Sequence, residues 1–270
     1  MGLPAAAAAV ALALGACTGN RSGKDNAELS LSDSIPQNTS FESYTYDVIA
    51  TATADSTLSH FPDSVGKWRL VGDGVLPVKV GSHDITLLRD TLMKIAQVVC
   101  DKPGNALPSG VDGLEVSDQK VASTPYANTN VNSLGIAMMS PYVIVWERYV
   151  YNYFWGAAHG QYSTDYINYS ALDNKVLSLS DLFVPGYERD LLEIVRQKLV
   201  EEDIPLLVGI NEVELPANFR IRGNGISLVY PLYAIAPYSE GEVKVDLSVY
   251  DLDGLLTPRA LEMILGPQSH

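Results

Sequence analysis

Basic residues are scarce in this chain. Lys and Arg together number 18 against 32 Asp and Glu, a formal net charge of −14 over 270 residues. A field of that sign repels a phosphate backbone and so excludes a nucleic-acid binder; it also disfavours direct adhesion to anionic lipid. Cysteine is rarer still, with only Cys17 and Cys100. The four histidines, His60, His83, His159 and His270, include no pair three or four positions apart, so the local spacing of a zinc or iron site is missing. No metal or other cofactor is expected. Beyond the N-terminal segment no stretch approaches the ~20 apolar residues of a membrane-spanning helix. What remains is 47% apolar and 19% charged, enough to build a core, which excludes a wholly disordered chain.

The N-terminal segment runs from Leu3-Pro4 through alanines with Val10, Leu12 and Leu14 to Gly15-Ala16-Cys17. It is too short to span a bilayer but fits the apolar region of a signal peptide, although no Lys or Arg precedes it. Leu14-Gly15-Ala16-Cys17 looks like a bacterial lipobox, in which small residues admit a peptidase that cuts before a Cys whose sulfur carries lipid. The expectation is a signal peptide over residues 1–16, acylation (palmitate) at Cys17, and a flexible tether to residue 40, where Gly, Asn, Ser and Asp dominate. Such a lipoprotein is held at a membrane by its acyl chains and lies outside the cytoplasm, in the cell envelope; in a Gram-negative cell that means the outer membrane or periplasm. With Cys17 consumed, Cys100 has no cysteine partner in the mature chain. A disulfide framework is excluded, and Cys100 reads as a buried structural thiol.

Residues 43–54 alternate between ring or small apolar and polar side chains, the period-two signature of a half-buried strand. Gly72-Asp73-Gly74 predicts a hairpin turn between Trp68–Val71 and Val75–Val80. Asp84 then caps a helix to about Val99, with Ile85, Leu88, Leu92, Ile95, Ala96 and Val99 on one face. Pro103, Gly104, Pro108 and Gly110 mark a connector. Strand patterns follow at 134–140, 142–154, 161–170 and 176–179, and a helix after Gly186 places Leu191, Leu192, Val195 and Leu199 on its apolar side. A hairpin about Gly223-Asn224-Gly225, an alternating strand over 242–249 and a helix opened by Pro258 close the chain. The predicted class is α+β: a small N-terminal α/β subdomain over 41–110, then a larger, mainly antiparallel sheet with packed helices over 111–270.

Several short motifs fail as catalytic signatures and read as turns. Gly81-Ser82-His83 lacks the G-x-S-x-G nucleophile elbow, and Gly72-x-Gly74 runs into Val75-Leu76-Pro77 rather than a helix. Asp251-Leu252-Asp253-Gly254 has only part of an EF-hand loop and lacks its terminal Glu.

Gly156-Ala157-Ala158-His159-Gly160 follows an aromatic strand and precedes Asn168-Tyr169 and the run Val176–Phe183; Gly225-Ile226, Tyr233-Ala234-Ile235-Ala236-Pro237-Tyr238 and Gly241 come further on. In this order the motifs resemble the extracytoplasmic domain of RsiV-like proteins. That domain also precedes the catalytic part of PdaC-like peptidoglycan deacetylases and stands alone in many envelope lipoproteins. The resemblance covers roughly residues 130–255, with a weaker match over 41–100. It implies an α+β pair of subdomains outside the cytoplasm, mostly without known chemistry. In the RsiV branch the domain binds lysozyme and thereby permits proteolysis of an anti-sigma factor. This chain departs from both specialised branches: it has no internal transmembrane helix, no Asp-Asp pair and no His-x-x-x-His spacing. A binding or sensing role is what the resemblance leaves, without catalytic residues, toward a wall glycan, a peptidoglycan fragment or a lysozyme-like protein. The acidic charge suits a basic partner through long-range steering.

The candidate ligand-binding residues are His159, Trp155, Tyr162, Tyr233 and Tyr238. Tyr and Trp commonly read sugar and protein surfaces, although a strand apolar on both faces also marks the centre of a sheet. His159, between glycines, is either a ligand contact or a hydrogen-bonded residue that locks a turn, and the second reading is preferred. The alternative function is a peptidoglycan-acting hydrolase with His159 as base, assembled with a carboxylate such as Asp165.

Overall fold

The computed structural model describes residues 38–52, 62–102, 105–109 and 113–266. The signal peptide, Cys17, most of the tether, His60 and His270 lie outside the described residues.

The alternating N-terminal segment forms β1 (Ser40–Ala52), which pairs antiparallel with β2 (Lys67–Lys79) from Ser40↔Lys79 to Thr51↔Lys67. The hairpin expected at Gly72–Gly74 is not there: β2 runs straight through both glycines. The reason lies across the strand pair. Tyr46 stands opposite Gly72 and Tyr44 opposite Gly74. A Cβ on Gly72 would run into the Tyr46 ring, and one on Gly74 would sit 2.6 Å from the Tyr44 hydroxyl oxygen. Glycine here makes room for two buried phenols, so cross-strand packing overrides local turn chemistry. Burial is also the main cause that lifts the Tyr46 hydroxyl to about 12.

Helix α1 (Thr86–Ile95) buries Leu88 and Leu92, and the Asp84 carboxylate accepts the Thr86 N–H at 3.0 Å. The helix ends earlier than the sequence predicts. Gln97 takes a left-handed φ of +51°, and the chain turns into β3 (Val98–Lys102), antiparallel to β4 (Asn105–Pro108), where a connector was expected. Cys100, on β3, is therefore half-buried rather than enclosed.

Five further strands, β5 (Leu114–Ser117), β6 (Asn128–Met139), β7 (Val143–Tyr153), β8 (Gln161–Ser170) and β9 (Lys175–Val176), join β1 and β2 in one seven-stranded sheet. Its order is β5-β1-β2-β6-β7-β8-β9, antiparallel except for the parallel pair β2/β6. That pair carries the sheet across the boundary expected near residue 110. The strand expected over 176–179 is cut to Lys175–Val176, because Ser178 and Asp181 close a capping box on the helical turn Leu179–Asp181.

A second sheet has the order β10-β11-β12, with β10 (Phe219–Arg222), β11 (Gly225–Tyr230) and β12 (Val243–Ser248). It shares a core with α2 (Glu188–Glu201) and α3 (Pro258–Leu265). Leu191, Val195 and Leu199 of α2 are buried, as their helical spacing predicts. Thr257 caps α3, its Oγ1 accepting the Ala260 N–H at 3.1 Å just ahead of Pro258.

Strand β7 separates two cores. Val143 and Val145 face the second sheet, α2 and α3, while Ile144 and Trp146 point the other way, toward β1, β2 and α1. Side-chain amides tie the sheets together. Asn168 Nδ2 donates to the Phe219 carbonyl at 2.7 Å and its Oδ1 accepts the Ile221 N–H at 2.8 Å. In return, Asn218 donates to the Thr164 carbonyl at 2.6 Å and accepts the Tyr166 N–H at 3.0 Å. Each amide offers a strand of the other sheet one donor and one acceptor, as a peptide group would.

Candidate functional site

The turn that leaves β7 is shaped by two glycines with different tasks. Gly156 adopts φ +81°, a left-handed conformation that costs a side-chain-bearing residue, and Ala157 N–H closes the turn on the Phe154 carbonyl at 3.0 Å. Gly160 instead makes room, since a Cβ there would strike the Tyr151 ring. Between them, His159 is exposed, with its Nδ1 2.9 Å from the Gly160 carbonyl oxygen. A carbonyl only accepts, so this geometry assigns the proton to Nδ1 and leaves Nε2 of the neutral ring as an acceptor. The same carbonyl accepts the Tyr238 hydroxyl at 2.9 Å. One backbone oxygen thus fixes two of the predicted residues, which lie far apart in the chain.

Tyr238 opens a helical turn (Tyr238–Glu240) after the proline-bounded loop 231–237. Gly241, at φ +71°, follows; a Cβ there would come within 2.8 Å of the Tyr162 hydroxyl. Tyr233 is also held at positive φ, +64°, which in a residue with a large side chain stores strain of roughly 1–3 kcal/mol. The rings form a continuous run. His159 stacks on Tyr238 (centroids 4.1 Å apart, planes at 30°), Tyr233 tilts against Tyr238 at 5.7 Å, and Tyr162 meets it edge-on at 6.5 Å. Tyr149 then stacks on Tyr162 at 6.1 Å. Tyr149 is 37% exposed and Tyr233 49%, so the patch is open to solvent although every ring is packed against another.

Four of the predicted residues, His159, Tyr162, Tyr233 and Tyr238, therefore meet. Trp155 is not part of their run: the residue is 50% exposed and its backbone N–H donates to Asn128 Oδ1 on β6 at 2.8 Å. Tyr149 and Glu242 were missed as site residues. Tyr149 sits opposite Thr164 in the β7/β8 register, which makes Tyr162 its diagonal neighbour on the same face. Strand parity alone puts Tyr149 on a face rich in rings; the register is what sets it beside Tyr162. Glu242 Oε1 accepts the Thr164 N–H at 2.6 Å and so brings a carboxylate to the rim of the patch. Burial first, then the Tyr151 and Tyr162 phenols and the Glu242 carboxylate, raises the Tyr149 pKa.

Asp165, the carboxylate expected to assemble with His159, is on the opposite face of β8 from Tyr162 and pairs with Arg148 Nη1 at 3.4 Å. The partial EF-hand motif is a turn: Asp251 accepts the Ser248 N–H at 2.8 Å and pairs with Lys198. Among the described residues no group of three or more His, Cys, Asp or Glu could hold a metal ion, and no helix is long and apolar enough to cross a membrane.

The fold and patch together describe an α+β protein that presents a row of aromatic rings at one end of its large sheet. Residues 180–250 match the model of a family described as "Protein of unknown function (DUF3298)". Tyr233 and Tyr238 fall inside the matched segment; Tyr149, His159 and Tyr162 precede it. No curated protein matches the chain. A member of the DUF3298 family from Bacteroides fragilis NCTC 9343 has the same fold with TM-score 0.61 at 17% identity, covering 85% of this chain and 98% of its own. A DUF3298 family protein from Pseudomonas aeruginosa PAO1 aligns with TM-score 0.56 at 14% identity, over 83% of this chain and 97% of its own. At those identities the likeness shows a shared fold.

Proposed function

We propose that this protein is a non-catalytic binding or sensing module of the bacterial cell envelope, anchored through an acylated Cys17, with a wall glycan as its ligand. The carrying observation is the run of rings from Tyr149 through Tyr162 and Tyr238 to His159 and Tyr233, contributed by separate stretches of chain and left open to solvent. Aromatic rings stack against the apolar faces of sugars at little entropic cost, since each side chain has few rotatable bonds to freeze. The strained backbone at Tyr233 supports the same reading, because such strain persists where the surrounding structure holds a residue in place for a purpose. The lipobox-like segment ahead of a Gly-, Ser- and Asn-containing stretch supports the anchor.

Calorimetric titration with soluble peptidoglycan fragments tests the ligand. Wild type is expected to bind, and Tyr238→Ala to weaken binding by about tenfold or more, as loss of a stacking ring and its neighbours' support implies. Circular dichroism should show the variant still folded. Absence of binding by the wild type, or undiminished binding by the folded variant, overturns the reading. The anchor is tested by growing expressing cells with labelled palmitate: label should enter the protein and be lost in Cys17→Ser, and an unlabelled wild type sinks it.

A further inference from the structure

Resting on that reading of the patch, we propose that it selects glycans bearing free, protonated amino groups over their N-acetylated counterparts. Three features of the patch point to a cation. Tyrosine faces are electron-rich, and a cation within ~6 Å of a ring centroid is attracted to them. Here Tyr149, Tyr162, Tyr233 and Tyr238 lie in one connected run. The charge at the rim is negative: Glu242 is held against β8 by the Thr164 N–H, and exposed Glu240 ends the helical turn that begins with Tyr238. Finally, with Nδ1–H given to the Gly160 carbonyl, the uncharged form of the exposed His159 ring has Nε2 as an acceptor, which an ammonium can meet with any of three N–H donors and an acetamido group with one.

A sugar chain suits the arrangement better than a single cationic side chain. The ring contacts continue from Tyr233 through Tyr238 and Tyr162 to Tyr149, with centroids 5.7, 6.5 and 6.1 Å apart, so the patch offers several rings and not one. A linear oligosaccharide can lay successive rings against them while placing its amines against the carboxylates. The net charge of −14 adds long-range attraction for a polycation, a contribution that salt weakens.

The test compares glucosamine oligomers with fully N-acetylated oligomers of the same length, titrated into the full chain. The amine form is expected to bind about tenfold tighter, with an affinity that falls as salt rises, and Glu242→Gln should shrink the preference several-fold. The glutamine retains the acceptor for Thr164, so the fold is kept. Tyr238→Ala should weaken both ligands. Equal or tighter binding of the acetylated oligomer overturns the selectivity while leaving the patch as a glycan site. If neither oligomer binds, and the peptidoglycan fragments do not bind either, both readings fail together. An oligolysine of equal charge that binds as tightly as the amine oligomer overturns the sugar component, since charge alone would then suffice.

Discussion

The two ends of β7 make an instructive pair. At the first, Val143, Ile144, Val145 and Trp146 are each 0% exposed, and they divide alternately between the two cores. Toward the other end Tyr149 is 37% exposed, and Phe154 and Trp155, just past the strand, are each 50% exposed. The sequence is apolar or aromatic through most of this length, so hydrophobicity alone does not separate the ends. Cover does. The first end has α1, β1 and β2 on one face and the second sheet with α2 and α3 on the other, whereas Tyr149 and Tyr151 continue one face beyond both cores. A central strand and a binding platform are therefore not competing readings of one aromatic strand. They are consecutive parts of it.

The strongest challenge to this contrast is Trp146→Ala. The indole is fully buried, lies edge-on to Phe41 at 6.4 Å and donates Nε1–H to the Val75 carbonyl at 3.1 Å. Its loss should cost about 3–5 kcal/mol, read as a lowered urea midpoint; a cost below about 1 kcal/mol would mean that the closed end does not hold the fold. Next comes Asn168→Ala, which leaves the buried Phe219 carbonyl and Ile221 N–H without their side-chain partner. About 2–3 kcal/mol is expected, and a near-neutral result would show that the sheets need no polar lock. The smallest effect belongs to Asp173, where Ser170 of β8 is joined to α3. The Arg259 guanidinium, and then the Ser170 hydroxyl, hold the Asp173 carboxyl below its ordinary range despite partial burial. A depressed folded value means stability that is present above the unfolded pKa of about 3.9 and lost as pH falls through the folded one. Because the Asp173 and Arg259 side chains are 35% and 43% exposed, Asp173→Asn should cost only about a few tenths of a kcal/mol at neutral pH. That difference should fade below about pH 4; a difference that grows with acid would reverse the assignment.

Much of this was legible in the chain. The alternation of β1, β8 and β12, the apolar spacing of α2, the Gly223-Asn224 turn and the helix start at Pro258 all follow from local period and end chemistry. His159, Tyr233 and Tyr238 could be nominated because ring-bearing residues stand beside glycines and prolines, where a chain bends into solvent, and Tyr162 as a ring in an alternating strand. Where local signals misled, a distant partner had intervened. Gly72 and Gly74 look like a turn until Tyr46 and Tyr44 are placed across from them, and Glu242 looks like any surface carboxylate until β8 offers it the Thr164 N–H.

Period, caps and turn residues act over a few positions, so the sequence by itself determined the longer strands and helices and the acidic character of the surface. Only the tertiary structure decided which strands share a sheet, which end of β7 is covered, and that His159 stacks on Tyr238. Those contacts join residues far apart along the chain; they form when the two sheets pack, and nothing in the local sequence encodes the distance between them.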